Sequence, residues 1–387
     1  MRKDFKLLEN NPDLVYLDSA CTSLKPESVI EAESSYYREL GACAGRSSHY
    51  MGRKTNEKLD ECREKIAKFV GSKSDGIAWT RNATEALNLV ANSFDFSKRK
   101  KVITTVMEHH AVLLPFMKLR DKGVIELEVL SCQNGEISDE QWESAIDDKT
   151  ALIVTNNANN TTGFRQDVRK IGKMAHDHGA QICVDGAQGV PHHKMNLRDE
   201  NLDYLCFSAH KMLGPTGIGA LAARNLNELD SFVVGGGTVK TVSLEKADYL
   251  KNPARFEAGI QDYAGIIGFA AACDYLDNVG MDRVEEHEKG MRGKLLKALD
   301  GATIYGSSSG NYAALCGFNL KGAKPHDIAL MLDKDRIAVR SGFFCAQPGM
   351  EAMGAKDGAV RASCYIYNND EDMDKLASSM EKLKQLY

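Results

Sequence analysis

The sequence has few of the features that mark non-globular classes of protein. Of its 387 residues, 8 are proline and 7% are aromatic, while 43% are hydrophobic and 27% are charged. This composition excludes collagen-like, disordered and coiled-coil classes. No single sign of charge dominates, since 49 Lys and Arg face 54 Asp and Glu for a formal net charge of −5. That balance gives no electrostatic reason to expect nucleic acid or an anionic membrane as a partner.

Long apolar runs are absent as well. The longest weakly polar stretch, residues 263–272, is too short and too rich in glycine to span a bilayer. Residues 1–10 contain no apolar core of signal-peptide length. We therefore expect a cytoplasmic protein that does not enter a membrane.

The ten cysteines are scattered and never occur as Cys-x-x-Cys. Neither a zinc knuckle nor a thioredoxin-type motif is therefore present. His192 and His193 are adjacent, but no further ligand follows at a useful spacing, so we expect no metal site. In a reducing compartment most thiols are inert core residues unless a neighbouring group activates one.

Between residues 76 and 223, short β-rich runs alternate with amphipathic helical stretches. The predicted strands are 76–80, 101–106, 124–130, 151–156, 181–185, 204–208 and 217–222. The helices predicted between them are 111–122, 139–147 and 167–178. Such alternation predicts crossover connections and a mostly parallel sheet.

The flanking segments have a different pattern. Helices are predicted upstream at 26–40 and 52–70, and downstream at 285–299 and 370–386, with strands at 312–320 and 337–340. We therefore expect a large α/β domain over residues 16–260. Residues 1–15 and 261–387 would form a small α+β domain with a connecting helix.

Ligands of open α/β sheets bind beyond the carboxyl ends of the strands, so the polar residues that follow each predicted strand are the candidates for a site. Residues 81–85 are small and polar and open a helix whose free N–H groups can bind a phosphate. Asp185 ends a hydrophobic run and needs a cation, such as a protonated pyridine nitrogen. Lys211 lies on a loop after a predicted strand, near a hydroxyl and an imidazole, where a desolvated amine could carry out Schiff-base chemistry. Together these features indicate pyridoxal 5′-phosphate, an electron sink at Cα.

A set of collinear strings resembles the class V aminotransferase-fold enzymes, and within them the SufS-like group II cysteine desulfurases and selenocysteine lyases. The strings are Tyr16-Leu-Asp-Ser-Ala20, Thr80-Arg-Asn-Ala-Thr-Glu-Ala-Leu-Asn-Leu-Val-Ala91, Glu108-His-His-Ala111, Val184-Asp-Gly-Ala-Gln188, Phe207-Ser-Ala-His-Lys211, Gly214-Pro-Thr-Gly-Ile-Gly219, Arg255-Phe-Glu-Ala-Gly259, Ala338-Val-Arg-Ser-Gly342, Cys345-Ala-Gln-Pro348 and Arg361-Ala-Ser363. The resemblance runs from about residue 16 to the end of the sequence, with order and spacing kept.

The resemblance implies a fold-type I pyridoxal-phosphate enzyme with a mostly parallel seven-stranded sheet and a small domain that carries a reactive-cysteine loop. It implies conversion of L-cysteine to L-alanine, with the sulfur passed to an enzyme cysteine as a persulfide for iron–sulfur cluster or other sulfur biosynthesis. A homodimer is implied, because the family's active site takes groups from both subunits. A separate sulfur-acceptor or scaffold protein is a further partner that this activity would use.

The resemblance also assigns roles to particular residues. The implied cofactor-binding residues are Thr84, His109, Asp185, Gln188, Ser208, His210 and Lys211. Lys211 would bond the cofactor aldehyde and later act as a general base, while His109 would stack on the ring. Cys345 would be the nucleophile, Asn160 and Arg361 would orient the substrate, and Arg340 would lie near the thiol loop.

Several positions depart from the family's pattern. Phe343 and Phe344 replace the usual histidines before the nucleophile, and Ile260 replaces a threonine that contacts the partner's phosphate. In the early active-site segment Arg46 is kept, whereas Cys43 stands where the pattern has another residue. Cys21 and Cys364 have no motif support as nucleophiles.

Other functions stay open at this point. A Cβ–S or Cβ–Se lyase, an epimerase or an aminotransferase would keep the cofactor but form no persulfide. A non-catalytic scaffold of the same fold would keep neither. The sequence does not identify the sulfur acceptor, the preference between cysteine and selenocysteine, or the effect of the two phenylalanines.

Overall fold

The computed structural model describes residues 1–45, 47–251, 253–307 and 310–387, so Arg46 lies outside the described residues. The helices are α1 (Lys6–Asn10), α2 (Glu27–Ser35), α3 (Tyr50–Phe69), α4 (Ala83–Ser93), α5 (His110–Asp121), α6 (Asp139–Ala145), α7 (Val168–Asp177), α8 (Tyr263–Val279), α9 (Met281–Ala298), α10 (Pro325–Lys334), α11 (Gln347–Ala352) and α12 (Asp370–Lys384). None of these described helices is long and apolar enough to cross a membrane.

The strands form one large sheet and three smaller ones. In chain order they are β1 (Val15–Tyr16), β2 (Ile77–Thr80), β3 (Lys101–Thr105), β4 (Glu126–Leu130), β5 (Thr150–Asn156), β6 (Gln181–Asp185), β7 (Tyr204–Ser208), β8 (Gly219–Ala223), β9 (Val239–Val242), β10 (Ala247–Tyr249), β11 (Thr303–Tyr305), β12 (Leu315–Asn319), β13 (Ile337–Ala338), β14 (Arg340–Gly342) and β15 (Ala359–Ser363).

The large sheet has seven strands in the order β2-β8-β7-β6-β5-β3-β4. Only β8 runs antiparallel to its neighbours, β2 and β7, while the other pairs are parallel. Every residue of β5 is buried, which explains its unbroken apolar run, because a strand covered by helices on both faces shows no alternation. The prediction of a mostly parallel seven-stranded α/β sheet is confirmed.

Since β8 alone is reversed, β2, β3, β5, β6 and β7 all end at the same edge of the sheet. The polar residues that follow these strands therefore meet there. Helix starts lie at this edge too: the Asn82 side chain caps α4 by accepting from the Glu85 N–H, and His109 caps α5 by accepting from the Ala111 N–H. Such caps fix the direction in which the chain leaves each strand.

The second sheet contains four antiparallel strands in the order β11-β12-β15-β14. Its core includes Leu295, Phe318 and Leu376 together with Val15 and Leu17 from the N-terminal segment. The N-terminal residues reach this core because β1 pairs in parallel with β13. The division at 15/16 and 260/261 stays a prediction.

Several features were not predicted from the sequence, including α1, α10, α11, β1, β11 and β15. The strand expected at 337–340 is divided into β13 and β14, which belong to different sheets. The antiparallel hairpin β9–β10 is almost wholly exposed, so it lacks the alternation of buried and polar residues that identifies a strand.

Candidate active site

A cavity of about 380 Å³ opens at the carboxyl edge of the large sheet, and β14 and β15 of the smaller sheet close it from the other side. All the site residues predicted from the sequence line this cavity, namely Thr84, His109, Asn160, Asp185, Gln188, Ser208, His210, Lys211, Arg340, Cys345 and Arg361. The two sheets thus bring together residues that are far apart in the sequence.

Lys211 and Asp185 both line the cavity, and each affects the pKa of the other. Lys211 ends the short 3₁₀ turn Ala209–Lys211 after β7, and burial lowers the pKa of its amine while Asp185 opposes that shift. Burial raises the pKa of Asp185, and Lys211 opposes the shift in turn. Asp185 Oδ1 accepts a hydrogen bond from the Ala187 N–H at 2.9 Å, which fixes the carboxyl group. A partly neutral amine is a nucleophile, and the buried carboxyl group suits a cationic ring nitrogen.

Two observations show that the cavity fits pyridoxal 5′-phosphate. Gln188 donates to Ala20 O at 2.7 Å, but its buried Oε1 has no partner among the described residues and is free to accept from a ring hydroxyl. At the phosphate end, Ser208 Oγ accepts from the Ala83 N–H at 2.7 Å beside the first turn of α4. Two N–H groups of that turn already have partners, Ala83 N–H on Ser208 Oγ and Glu85 N–H on Asn82 Oδ1, and a helix start of this kind is the usual setting for a bound phosphate.

Gly219 allows the phosphate end to close tightly. A Cβ at this position would lie 2.6 Å from Phe207 O and 2.8 Å from Asn82 Cα, so no side chain fits between β8 and the start of α4. Thr84, in the first turn of α4, and His210, beside Lys211, line the cavity in this region.

His109 is held as a neutral ring. Its Nδ1 accepts from the Ala111 N–H at 3.0 Å, which leaves the proton of the neutral tautomer on Nε2. Burial lowers the pKa of His109 to about 3, and the nearby Lys211 contributes in the same direction. A neutral flat ring can stack on an electron-poor aromatic cofactor without adding charge to the site.

Arg361 is 3% exposed and belongs to a hydrogen-bonded network with Asp18 and Arg340. Its Nη1 donates to Asn160 O at 3.0 Å and its Nη2 to Asp18 Oδ1 at 3.3 Å, whereas its Nε has no partner among the described residues. Arg340 Nη2 donates to Asp18 Oδ2 at 2.8 Å. The guanidinium of Arg361 thus keeps donors free for a substrate carboxylate.

Asp18 was missed by the reasoning from sequence. It bridges both arginines, and it reaches them because it follows β1 and forms an isolated bridge with Ser363 at the end of β15. The signal available in the sequence was its place within Tyr16–Ala20, one of the strings that carry the family resemblance.

Cys345 is exposed and follows β14 on a loop in a strained conformation. Phe344 and Cys345 have φ values of 54° and 56°, in the left-handed region that non-glycine residues rarely adopt. Two hydrogen bonds hold the loop: the His110 N–H donates to Cys345 O at 2.6 Å, and Asn160 Nδ2 donates to Phe344 O at 2.8 Å.

The two phenylalanines of this loop have a packing role. Phe344 is buried against Met350 and Ala359, and Phe343 packs at the margin of the same cluster. The Phe344 ring also lies 5.0 Å from the Arg361 guanidinium, within the range of a cation–π contact. These contacts give a structural reason for apolar residues before Cys345.

The remaining departures from the family's pattern lie in different places. Cys21 lines the cavity, which reasoning from motifs did not predict. Cys43 does not contribute to the described lining, and its Sγ contacts Ala44 O at 3.2 Å. Ile260 is 73% exposed and lines a neighbouring pocket that also contains Arg81 and Phe232.

His192 contacts a buried carboxylate. Its Nδ1 lies 2.6 Å from Glu288 Oε1 in the interior, which makes it half of a buried pair. Within the four described ranges, no three His, Cys, Asp or Glu residues are grouped so that they could hold a metal ion.

Comparison with known proteins agrees with this geometry. The model of the class V aminotransferase family matches residues 15–376. A probable cysteine desulfurase of Halalkalibacterium halodurans is 38% identical, over 100% of this chain and 98% of that protein. A cysteine desulfurase of Haloferax volcanii is 34% identical, over 98% of this chain and 91% of that protein.

Solved structures show the same relationship. The apo structure of a cysteine desulfurase from Thermococcus onnurineus superposes with a TM-score of 0.95 at 34% identity, covering 100% of this chain and 98% of that one. A cysteine desulfurase of Escherichia coli gives a TM-score of 0.88 at 29% identity, with the same coverage of 100% and 98%. The chain therefore belongs to the cysteine desulfurases of the class V aminotransferase family, a family of enzymes that depend on pyridoxal 5′-phosphate.

Proposed function

We propose that this chain converts L-cysteine to L-alanine and retains the sulfur as a persulfide on Cys345. The observation that carries the proposal is the convergence in one cavity of a buried amine, a buried carboxyl group, a guanidinium with free donors and an exposed thiol. These belong to Lys211, Asp185, Arg361 and Cys345.

The cofactor would be held by residues that line the cavity. Asp185 would pair with the ring nitrogen, Gln188 would accept from the ring hydroxyl, and His109 would cover one face of the ring. Thr84, Ser208 and His210 would hold the phosphate at the start of α4. When bound, pyridoxal phosphate supplies an electron sink for negative charge at Cα.

The substrate would be oriented by its α-carboxylate. Arg361 has an unpartnered Nε and offers a guanidinium that pairs with a carboxylate through two parallel hydrogen bonds. Asn160 accepts from Arg361 and donates to Phe344 O, so it links the carboxylate site to the thiol loop. With the cofactor and substrate bound, the neutral amine of Lys211 would be the group that removes the Cα proton as a general base.

Cys345 would then attack the substrate's Sγ as a thiolate. A bond forms between Cys345 Sγ and the substrate sulfur, while the Cβ–Sγ bond breaks and leaves its electron pair on Cβ. Protonation at Cβ and Cα completes alanine, and the enzyme carries the persulfide. No external oxidant or reductant enters this balance.

An exposed apolar surface near the site supports a homodimer. Around the hairpin β9–β10 the exposed apolar side chains are Phe232, Val233, Val234, Val242, Leu244, Tyr249 and Ile260. A monomer rarely exposes so many neighbouring apolar side chains. We propose that a second copy of the chain covers them, and sedimentation of the wild type and of Leu244→Ser should show a dimer that the substitution weakens.

The persulfide sulfur would supply iron–sulfur cluster or other sulfur biosynthesis in the cytoplasm, through an acceptor or scaffold protein. Selenocysteine is a second candidate substrate for the same cavity. Alanine formation from each amino acid, measured side by side, decides between a desulfurase and a selenocysteine lyase.

Two variants test the activity. Cys345→Ala should stop alanine formation from L-cysteine, and Lys211→Ala should abolish the cofactor bond that borohydride traps. Cys132→Ser is the matched control, because this half-buried thiol does not contribute to the described cavity lining and its loss should change neither readout.

Two results would contradict the proposal. Undiminished turnover of L-cysteine by Cys345→Ala, with pyruvate and free sulfide as the products, would instead indicate a Cβ–S lyase. A wild-type protein that binds no pyridoxal phosphate would indicate a scaffold without enzymatic activity.

A further inference from the structure

The cavity contains a second thiol, that of Cys21. Cys21 belongs to the turn after β1, where its N–H donates to Asp18 O at 3.0 Å. The chain is fixed on both sides of it: Gln188 donates to Ala20 O at 2.7 Å, and the Ser23 N–H donates to His210 O at 2.9 Å. The residues that flank Cys21 are thus hydrogen-bonded to two cavity-lining residues of the cofactor site, and Cys21 itself is half-buried.

Three cationic side chains lie near Cys21. Cys21 is among the lesser electrostatic influences on Lys211, Arg340 and Arg361, so all three lie within electrostatic reach of this thiol. Arg361 is buried and has an unpartnered Nε, a donor that the protein itself does not satisfy. A sulfur carried by Cys21 would therefore share the cavity with this unsatisfied donor.

Cys345 approaches the same region from the other domain. Cys345 is likewise among the lesser electrostatic influences on Lys211, and both sulfurs belong to residues that line the same cavity. Two consecutive residues, Phe344 and Cys345, store backbone strain at φ values of 54° and 56°. Cys345 thus lies on a strained loop, whereas the residues that flank Cys21 are held by hydrogen bonds.

We propose that Cys21 is a second sulfur carrier that accepts the outer sulfur of the Cys345 persulfide. The thiolate of Cys21 attacks that outer sulfur, a bond forms between Cys21 Sγ and the sulfur, and the bond to Cys345 Sγ breaks. Cys345 leaves as a thiolate with the electron pair, so the exchange needs no oxidant or reductant. This inference rests on the proposed function, because only a desulfurase forms the first persulfide.

The transfer has a stoichiometric consequence. Once its sulfur has moved to Cys21, Cys345 is free to attack a second substrate molecule. Without a reductant or an acceptor, the holoenzyme should form about two alanines per chain before it stops, and Cys21→Ser should form about one. Cys132→Ser, which removes a half-buried thiol elsewhere, should form about two, like the wild type.

The experiment combines rapid-quench alanine counting with mass spectrometry of blocked peptides from the same samples. We expect a persulfide on both Cys21 and Cys345 in the wild type, and on Cys345 alone in Cys21→Ser. In Cys345→Ala, Cys21 should stay unmodified, and the exposed Cys43 should stay unmodified throughout. The wild-type peptide map tests the inference even if Cys21→Ser fails to fold.

Several outcomes would overturn the inference while the proposed function stands. These are one alanine per chain with sulfur on Cys345 only, a second alanine with both sulfurs on Cys345, and a disulfide between Cys21 and Cys345 with release of free sulfide. A persulfide on Cys21 in Cys345→Ala would also overturn it, since Cys21 would then take sulfur directly from substrate. A wild-type protein with no persulfide at either thiol contradicts the proposed function itself.

Discussion

Asp18→Asn should destabilise the protein more than the loss of an exposed ion pair would. The carboxylate is 13% exposed and bridges Arg361, whose side chain is 3% exposed, to Arg340, whose side chain is 46% exposed. The half-exposed pair with Arg340 contributes at most about 1 kcal/mol. The buried guanidinium of Arg361 is different, because a hydrogen bond to a buried charge contributes about 1.5–3 kcal/mol.

Asparagine keeps the shape and one acceptor oxygen of Asp18 but removes its charge. Arg361 would retain its bond to Asn160 O, so the loss stays below the roughly 3–5 kcal/mol of a fully unpaired buried charge. We expect a loss of about 2–3 kcal/mol. With about 2 cal/mol/K of unfolding entropy per residue, this lowers the Tm of a 387-residue chain by about 2–4 °C.

The assay is thermal unfolding of the holoenzyme followed by circular dichroism. Asp13→Asn is the matched control, because Asp13 pairs with Arg336 at 3.2 Å and the two side chains are 61% and 52% exposed. That change should lower Tm by less than about 1 °C. Equal Tm values for the two variants would show that Asp18 does not neutralise Arg361, and the reasoning about the substrate site would fail with it.

Two further substitutions test Gly219 and the buried Glu108, which accepts hydrogen bonds from the cavity-lining Asn156. Burial raises the pKa of Glu108 to about 7 from 4.5, so the folded protein holds this proton more tightly and loses stability, on the order of 3 kcal/mol, as pH rises from about 4.5 to 7. Glu108→Gln should therefore flatten the pH dependence of Tm between pH 5 and pH 8. An unchanged slope would show that Glu108 does not cause this pH dependence. Gly219→Ala places a Cβ against Phe207 O and Asn82 Cα and should weaken cofactor binding about tenfold in an absorbance titration. Gly290→Ala, with open space around its Cβ, is the control, and equal affinities would contradict the role of Gly219.

The sequence was sufficient where the signal is local. The strands at 181–185 and 204–208 match β6 and β7 because each is a short apolar run that ends in polar residues. Parallel strands have their carboxyl ends at one edge of the sheet, so the sequence alone predicts that Asp185 and Lys211 lie close together.

Long-range pairing was not predictable in the same way. Asp18 reaches Arg361, and Cys21 reaches the cavity, on a segment that is placed by the pairing of Val15 with Ile337, more than three hundred residues along the chain. No period or spacing near either residue reports that contact. The strain at Phe344 is equally invisible in sequence, because tertiary contacts hold a conformation that its own backbone preference disfavours.

Cys345 should receive the substrate's sulfur, and this can be measured as the mass of the peptide that contains it. The holoenzyme is incubated with L-cysteine without reductant, and its thiols are then blocked. We expect an increase by one sulfur atom that dithiothreitol removes and that Lys211→Ala does not acquire. A Cys345 peptide of unchanged mass in a sample where alanine has accumulated, with no sulfur at Cys21 either, would contradict it.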